Sequence, residues 1–230
     1  IMVVKDSVTD VFFDLDHTIY DFDKNSALTF NQIFEEMNLH NVGDFMRRFK
    51  PINEFYWEQF AKNEISHDFL RYGRLKDTFK AIQVEVSDDE IYHIADAFIA
   101  NLSNYNHVFE GAYDALNHLQ KQYNLHIITN GPSLVQEKKL KNANLDVYFK
   151  TITNSEKAGV KKPNPKIFEF ALHKANVKAV NSLMIGDNII ADVQGALNVG
   201  MQVIWFNEFG LENTLNVKEV QNLRQLITIL

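Results

Sequence analysis

Four short polar clusters hold the residue types that could do chemistry in this chain. They are Asp14-Leu15-Asp16-His17-Thr18, Thr129-Asn130-Gly131, Lys161-Lys162-Pro163, and Gly186-Asp187 followed by Asp192. Three of the four follow an apolar run that reads as a buried strand. Together they offer a carboxylate nucleophile, a second carboxyl to carry a proton, donors for phosphate oxygens and acidic oxygens for a metal ion. That inventory is what phosphoryl transfer through an aspartyl phosphate needs.

Residues two apart on an extended chain point to the same side, so Asp14 and Asp16 are expected to share one. Two carboxylates so placed repel unless a cation neutralises one or a proton sits on the other. Asp14 would stay ionised and attack phosphorus, while Asp16 would protonate the leaving oxygen and later take a proton from water. The competing reading is a turn at a strand end, where Asp is common. Asp187, after the turn at Gly186, would face the same crevice and supply a hard oxygen suited to magnesium. Asp192 would either hold a metal-bound water or favour a helix N-terminus electrostatically.

The Thr129 hydroxyl and the free amides of the following helix suit an anion, although a plain strand-to-helix turn has the same sequence. Lys162 precedes Pro163, which forces extended backbone and fixes an ammonium where phosphoryl oxygens could meet it. Lys161 is an equally charged competitor, and a solvated loop lysine is the ordinary alternative.

These clusters need a scaffold that gathers them. Val11-Phe12-Phe13, Leu125-His126-Ile127-Ile128, Ser182-Leu183-Met184-Ile185 and Gln202-Val203-Ile204-Trp205-Phe206 read as strands, with Thr151-Ile152-Thr153 weaker. Helical spacing over 111–123, 133–143, 165–175 and 189–199 alternates with them, and 217–229 is expected to be a closing helix, or to hold an edge strand over 226–230. Such alternation predicts an α/β fold with a parallel sheet covered on both faces. Ligands of such sheets bind outside the carboxyl ends of the strands, where Asp14, Thr129 and Asp187 would converge.

Residues 21–107 break the alternation and read as several amphipathic helices inserted after the first strand. They are expected to form a lid over the crevice. The core domain would then be residues 1–20 and 108–230. Tyr56, Trp57, Arg71, Tyr72 and Arg74 could present groups to a substrate, by stacking or by meeting a second anion, although aromatics at helical spacing more often fill a core.

The 230 residues are 46% hydrophobic, enough for one large domain or one with an insert. A net charge of −7 argues against affinity for polymeric nucleic acid. No apolar run approaches the length of a membrane helix, and residues 1–10 do not resemble a secretory leader. There are no cysteines, which excludes thiolate chemistry and agrees with a cytoplasmic location.

In this order, the four clusters resemble the signature of the haloacid dehalogenase superfamily of phosphohydrolases. The resemblance runs from Val11 to about Val203 and includes Asp14-X-Asp16-X-Thr18, Thr129-Asn130-Gly131, Lys162-Pro163-Asn164-Pro165-Lys166-Ile167-Phe168 and Gly186-Asp187-X4-Asp192-X2-Gly195-Ala196. It implies a Rossmann-like core with an inserted α-helical cap. It implies Mg²⁺ held by Asp14, the main-chain carbonyl of Asp16 and Asp187; Asp192 would then stand behind them or serve the helix alone. It implies phosphate binding by Thr129, Asn130 and Lys162, the lysine that directly precedes the proline.

The opening from Asp14 through Asp21-Phe22-Asp23-Lys24-Asn25-Ser26 further resembles bacterial pyrimidine 5′-nucleotidases of that superfamily. The His17 slot is commonly glycine in the wider family, so His17 marks either a subgroup or a packed turn. The resemblance therefore implies a Mg²⁺-dependent phosphomonoesterase acting on a small phosphorylated metabolite, with a nucleoside 5′-monophosphate first. A sugar-phosphate or phosphoglycolate phosphatase, a phosphomutase and an inactive binding module are the alternatives. A monomer or weak dimer is expected.

Overall fold

A computed structural model describes residues 5–40 and 42–230; residues 1–4, part of the stretch inspected for a leader, lie outside the described residues. The chain forms two compact units, Ile1–Asp21 with Asn106–Leu230, and Phe22–Tyr105.

The first unit is built on a six-stranded parallel sheet: β1 (Asp10–Phe13), β2 (Asn124–Thr129), β3 (Phe149–Asn154), β4 (Ser182–Gly186), β5 (Gln202–Phe206) and β6 (Lys218–Val220), in the order β3-β2-β1-β4-β5-β6. This is the doubly wound, Rossmann-like α/β order, whose direction reverses between β1 and β4. The central strand is apolar on both faces, and Val11, Phe12 and Phe13 are all buried. Residues with no solvated face read as a continuous apolar run, as expected for a parallel sheet covered on both sides. Phe12 pairs in register with His126 on β2 and Met184 on β4. One face packs Phe12, Ile128, Met184 and Val203 against Ile167, Phe168 and Ala171. Each such large side chain contributes about 1.5–3 kcal/mol by burial.

Among the described residues the second unit contains four α-helices, α1 (Phe22–Glu36), α2 (Phe45–Ala61), α3 (His67–Ala81) and α4 (Asp88–Asn101), and a 3-10 turn over Leu102–Asn104. Ser66 caps α3 by accepting from the Phe69 amide, and Ser87 with Glu90 forms a capping box on α4. The core of this unit is aromatic. Phe30 stacks on Phe98 with ring centroids 4.3 Å apart and touches Phe34, Phe45 and Phe49. Where the chain leaves and rejoins the sheet unit, the two passages pair: Asp21 donates to the His107 carbonyl and Phe109 to that of Ile19.

The remaining helices are α5 (Ala112–Leu119), α6 (Ser133–Asn142), α7 (Ser155–Ala158), α8 (Pro165–Ala175), α9 (Gly195–Asn198) and α10 (Leu226–Ile229). Pro165 begins α8 behind an Asn164 cap, where a missing amide proton is harmless. Two expectations fail. Residues 217–229 are not one helix: Lys218–Val220 is the edge strand β6, paired with β5, and only the short α10 closes the chain. The alternative strand over 226–230 is absent for the same reason, since 226–229 is helical. The stretch 189–199 is not one α-helix either, because Ile189–Gln194 is a π-helical turn that passes into α9. Among the described residues no helix is long and apolar enough to cross a membrane.

Candidate active site

Asp14 follows β1 and Asp187 follows β4, so both stand at the carboxyl ends of the two strands between which the sheet reverses. The Asp14 amide donates to the Ile185 carbonyl at 2.9 Å, which extends the β1–β4 ladder into the site. Asp192 is carried toward them by the π-helical turn. A single extra residue in a helical turn re-aims a side chain, and such turns gather at functional sites. Gly186 leaves the room: a Cβ there would lie 2.5 Å from the Asp192 Cβ. Carboxylate oxygens of Asp14, Asp187 and Asp192 lie within 4.8 Å of one another.

Lys162 is the cation among these acids. Its ammonium is buried and donates to Asp14 Oδ1 at 2.5 Å, Asp192 Oδ1 at 2.6 Å and the Ile128 carbonyl at 2.9 Å. Lys161 does not take this place. Asn130 fixes the lysine's backbone, accepting from the Lys162 amide at 2.7 Å and donating to its carbonyl at 3.0 Å. The Asn130 side chain thus orients Lys162, through one of its two amide protons and its carbonyl oxygen.

The balance of charge inside the cluster is unfavourable. Three carboxylates share one ammonium. Burial pushes the Asp14 carboxyl up to about 7, against the pull of Lys162 and with a further push from Asp192. Burial also raises Asp187 well above the carboxylate range, reinforced by Asp192 and Asp14 and opposed by a Thr18 hydroxyl bond. The ammonium of Lys162 is held charged: burial alone would lower its pKa, but Asp14 and Asp192 raise it well above the usual range. A divalent cation would supply the missing positive charge, and a cluster of hard carboxylate oxygens suits Mg²⁺. The donor set therefore fits that ion.

Asp16 is held apart from this cluster. Its Oδ1 accepts from Lys139 at 2.6 Å and its Oδ2 from Gln136 at 2.8 Å. Burial would raise its pKa, yet the Lys139 charge and these two hydrogen bonds keep it below the usual carboxylate value. Thr129 is buried at the end of β2 and bonded to the Gly131 amide at 3.2 Å and to Gln136 at 2.7 Å. His17 follows Asp16 with φ of 62°, the left-handed turn conformation in which glycine is at home.

The sequence does not single out Gln136 or Lys139, and it gives Thr18, part of the first cluster, no role of its own. Thr18 donates to Asp187 Oδ1 at 3.0 Å, and the Trp205 indole secures the Asp187 carbonyl at 2.7 Å. A signal for the first two existed: Gln136, Lys139, Leu140 and Ala143 recur at helical spacing and are all buried.

In the helical unit, Tyr56 is buried and bonds Asp77, while Tyr72 bonds Asp88 and stacks on Tyr92. Trp57 packs on Phe60, and Arg71 pairs with Asp96. Arg74 is buried over Phe49 and Phe98 and donates to Asn53 at 2.8 Å.

Comparison with known proteins matches residues 11–206 to the family model described as haloacid dehalogenase-like hydrolase. The chain is 29% identical to the pyrimidine 5′-nucleotidase YjjG of Escherichia coli, over 94% of this chain and 96% of that one. It is 31% identical to a glyceraldehyde 3-phosphate phosphatase of Pyrococcus furiosus, over 96% and 92%. Among solved structures, the hydrolase YfnB of Bacillus subtilis bound to magnesium superposes with a TM-score of 0.86 at 28% identity, covering 96% of this chain and 98% of that one.

Proposed function

This chain belongs to the haloacid dehalogenase-like hydrolases, and we propose that it is a Mg²⁺-dependent phosphomonoesterase that works through an aspartyl phosphate on Asp14. The observation that carries this reading is the gathering of Asp14, Asp187 and Asp192 around one buried ammonium, with a separate carboxylate, Asp16, held alongside.

Asp14, Asp187 and the Asp16 carbonyl would hold the ion, with Asp192, bonded by Lys162 and the Asn188 amide, behind them. When bound, it would offset the repulsion between the acids and an anionic substrate. The chain's own groups do the rest. An Asp14 carboxylate oxygen bonds to phosphorus as the bond from phosphorus to the leaving oxygen breaks. Lys162 and the Thr129 hydroxyl take the phosphoryl oxygens. Asp16 passes a proton to the leaving oxygen. It then removes one from the water that attacks the acyl phosphate, which frees inorganic phosphate and restores Asp14. In the free protein Asp16 is kept ionised by Lys139, so it needs a proton before the first step. The approach of a phosphate dianion raises its pKa in that direction.

For the substrate we propose a nucleoside 5′-monophosphate, as in the nucleotidase relative. A small sugar phosphate is the second reading, supported by the comparable identity to the glyceraldehyde 3-phosphate phosphatase. The helical unit is proposed to act as a cap that selects the leaving group. The deciding experiment is hydrolysis of UMP, dUMP, dTMP and glyceraldehyde 3-phosphate compared by kcat/KM, with Mg²⁺ and with EDTA. A clear preference for the pyrimidine nucleotides that chelation abolishes supports the first reading. A preference for the triose ester supports the second. No turnover of any ester overturns both.

A further inference from the structure

Gln136 on α6 is fully buried, and one atom of it serves two residues of the site. Its Nε2 lies 2.8 Å from Asp16 Oδ2 and 2.7 Å from Thr129 Oγ1. An ionised carboxylate can only accept, so the nitrogen must face Asp16, and the two amide protons are divided between the two partners. The Gln136 carbonyl oxygen is left buried with no hydrogen-bond partner among the described residues. An unsatisfied buried oxygen costs about 1–3 kcal/mol, so stability alone does not account for this placement.

Both contacts have chemical consequences. Asp16 is gripped at both oxygens, Oδ1 by Lys139 and Oδ2 by Gln136, which fixes the plane of the carboxyl group. Thr129 Oγ1 accepts from Gln136 and from the Gly131 amide. A hydroxyl has two acceptor sites and one proton. With both sites filled, Thr129 can act only as a donor, and no acceptor among the described residues takes its proton. Gly131 completes the device. A Cβ there would stand 2.5 Å from Gln136 Nε2 and 2.6 Å from its Cδ, and its backbone is not left-handed. Glycine is needed at this position for the space it leaves to the glutamine.

Building on the phosphomonoesterase reading above, we infer that Gln136 is a positioning residue that couples the proton-transfer group Asp16 to the phosphate donor Thr129 through a single amide, with Gly131 as the gap that admits it. It touches no reacting atom itself.

The test compares two esters. A p-nitrophenolate leaves without help, whereas the alkoxide of a simple alkyl phosphate needs a proton, so in the phosphoryl-transfer step, which kcat/KM reads, only the second depends strongly on Asp16. The ratio of the two rates does not change with the fraction of folded enzyme. Gln136→Met should lower kcat/KM for the alkyl ester at least about tenfold more than kcat/KM for p-nitrophenyl phosphate, a fraction of the usual general-acid contribution. KM should rise for both esters as Thr129 loses its orientation. Gly131→Ala, which keeps the amide but displaces it, should give the same ratio. Gly131→Ala combined with Gln136→Ala should be no worse than Gln136→Ala alone, because the smaller side chain removes the clash. An unchanged ratio in Gln136→Met or Gly131→Ala overturns the inference while leaving the phosphomonoesterase reading intact. A wild-type protein inert toward both esters overturns the two together.

Discussion

The Lys162 ammonium lies 2.5 Å from Oδ1 of Asp14, and both side chains are withdrawn from solvent. The same nitrogen reaches Asp192, so one cation is shared by two acids that follow different strands. An ion pair so buried is favourable only while both partners remain, because removing either leaves an uncompensated charge.

Lys162→Met should therefore lower kcat/KM by about 10²–10³-fold, the scale of losing one preorganised charge in a shielded site. Lys161→Met, on a residue outside this cluster, should change it less than about fivefold. Steady-state kinetics of the two variants makes the comparison. Equal losses would reassign the lysine.

Divalent metal should stabilise the fold. With three acids sharing one ammonium, Mg²⁺ at about a hundred times its Kd should raise the unfolding free energy by about 2.7 kcal/mol. Asp187→Asn should remove most of that gain, since it deletes a charge the ion would neutralise, and it should raise stability in EDTA by relieving repulsion. Thermal melts with and without Mg²⁺ read both effects. An Asp187→Asn melt that still responds fully to Mg²⁺ would remove Asp187 from the metal.

Much of this arrangement was legible in the sequence, and what was not has physical reasons. The strands β1, β2, β4 and β5 announce themselves because burial on both faces demands continuous apolar runs. β6 does not: of Lys218, Glu219 and Val220 only the last is buried, and an edge strand held by backbone bonds to β5 leaves no side-chain pattern. The acids stood out because they follow strands. Their partners Lys139 and Gln136 come from a helix whose phase decides which of several polar residues face inward. The π-helical turn that delivers Asp192 has no spacing signature of its own, and nothing in a sequence says that the Asn130 side chain braces the Lys162 backbone.

The sheet should also carry a pH-dependent stability of its own. His126 is buried on β2, bonded to Asp10 at 2.9 Å and to Thr151 at 2.8 Å. Burial pushes its pKa below the ordinary 6.5, against the pull of Asp10. The unfolded chain therefore binds the extra proton first as pH falls. Stability is fully present above the unfolded value and declines below it until the folded pKa is reached. The slope contributed is at most about 1.4 kcal/mol per pH unit. Urea unfolding from about pH 7.5 to about pH 5.5 should show a steeper loss in the wild type than in His126→Gln, which cannot take up the proton. Parallel curves would mean that folding leaves the histidine's pKa unchanged.

The central claim is that Asp14 becomes phosphorylated. The most direct measurement is to mix the protein with Mg²⁺ and substrate, reduce with borohydride during turnover, and sequence the peptide containing residue 14 by mass spectrometry. An acyl phosphate is reduced to homoserine, so that residue should appear at position 14 in the wild type and be absent when substrate is withheld. Unmodified aspartate at position 14 under active turnover, or homoserine at another acid, would contradict the account.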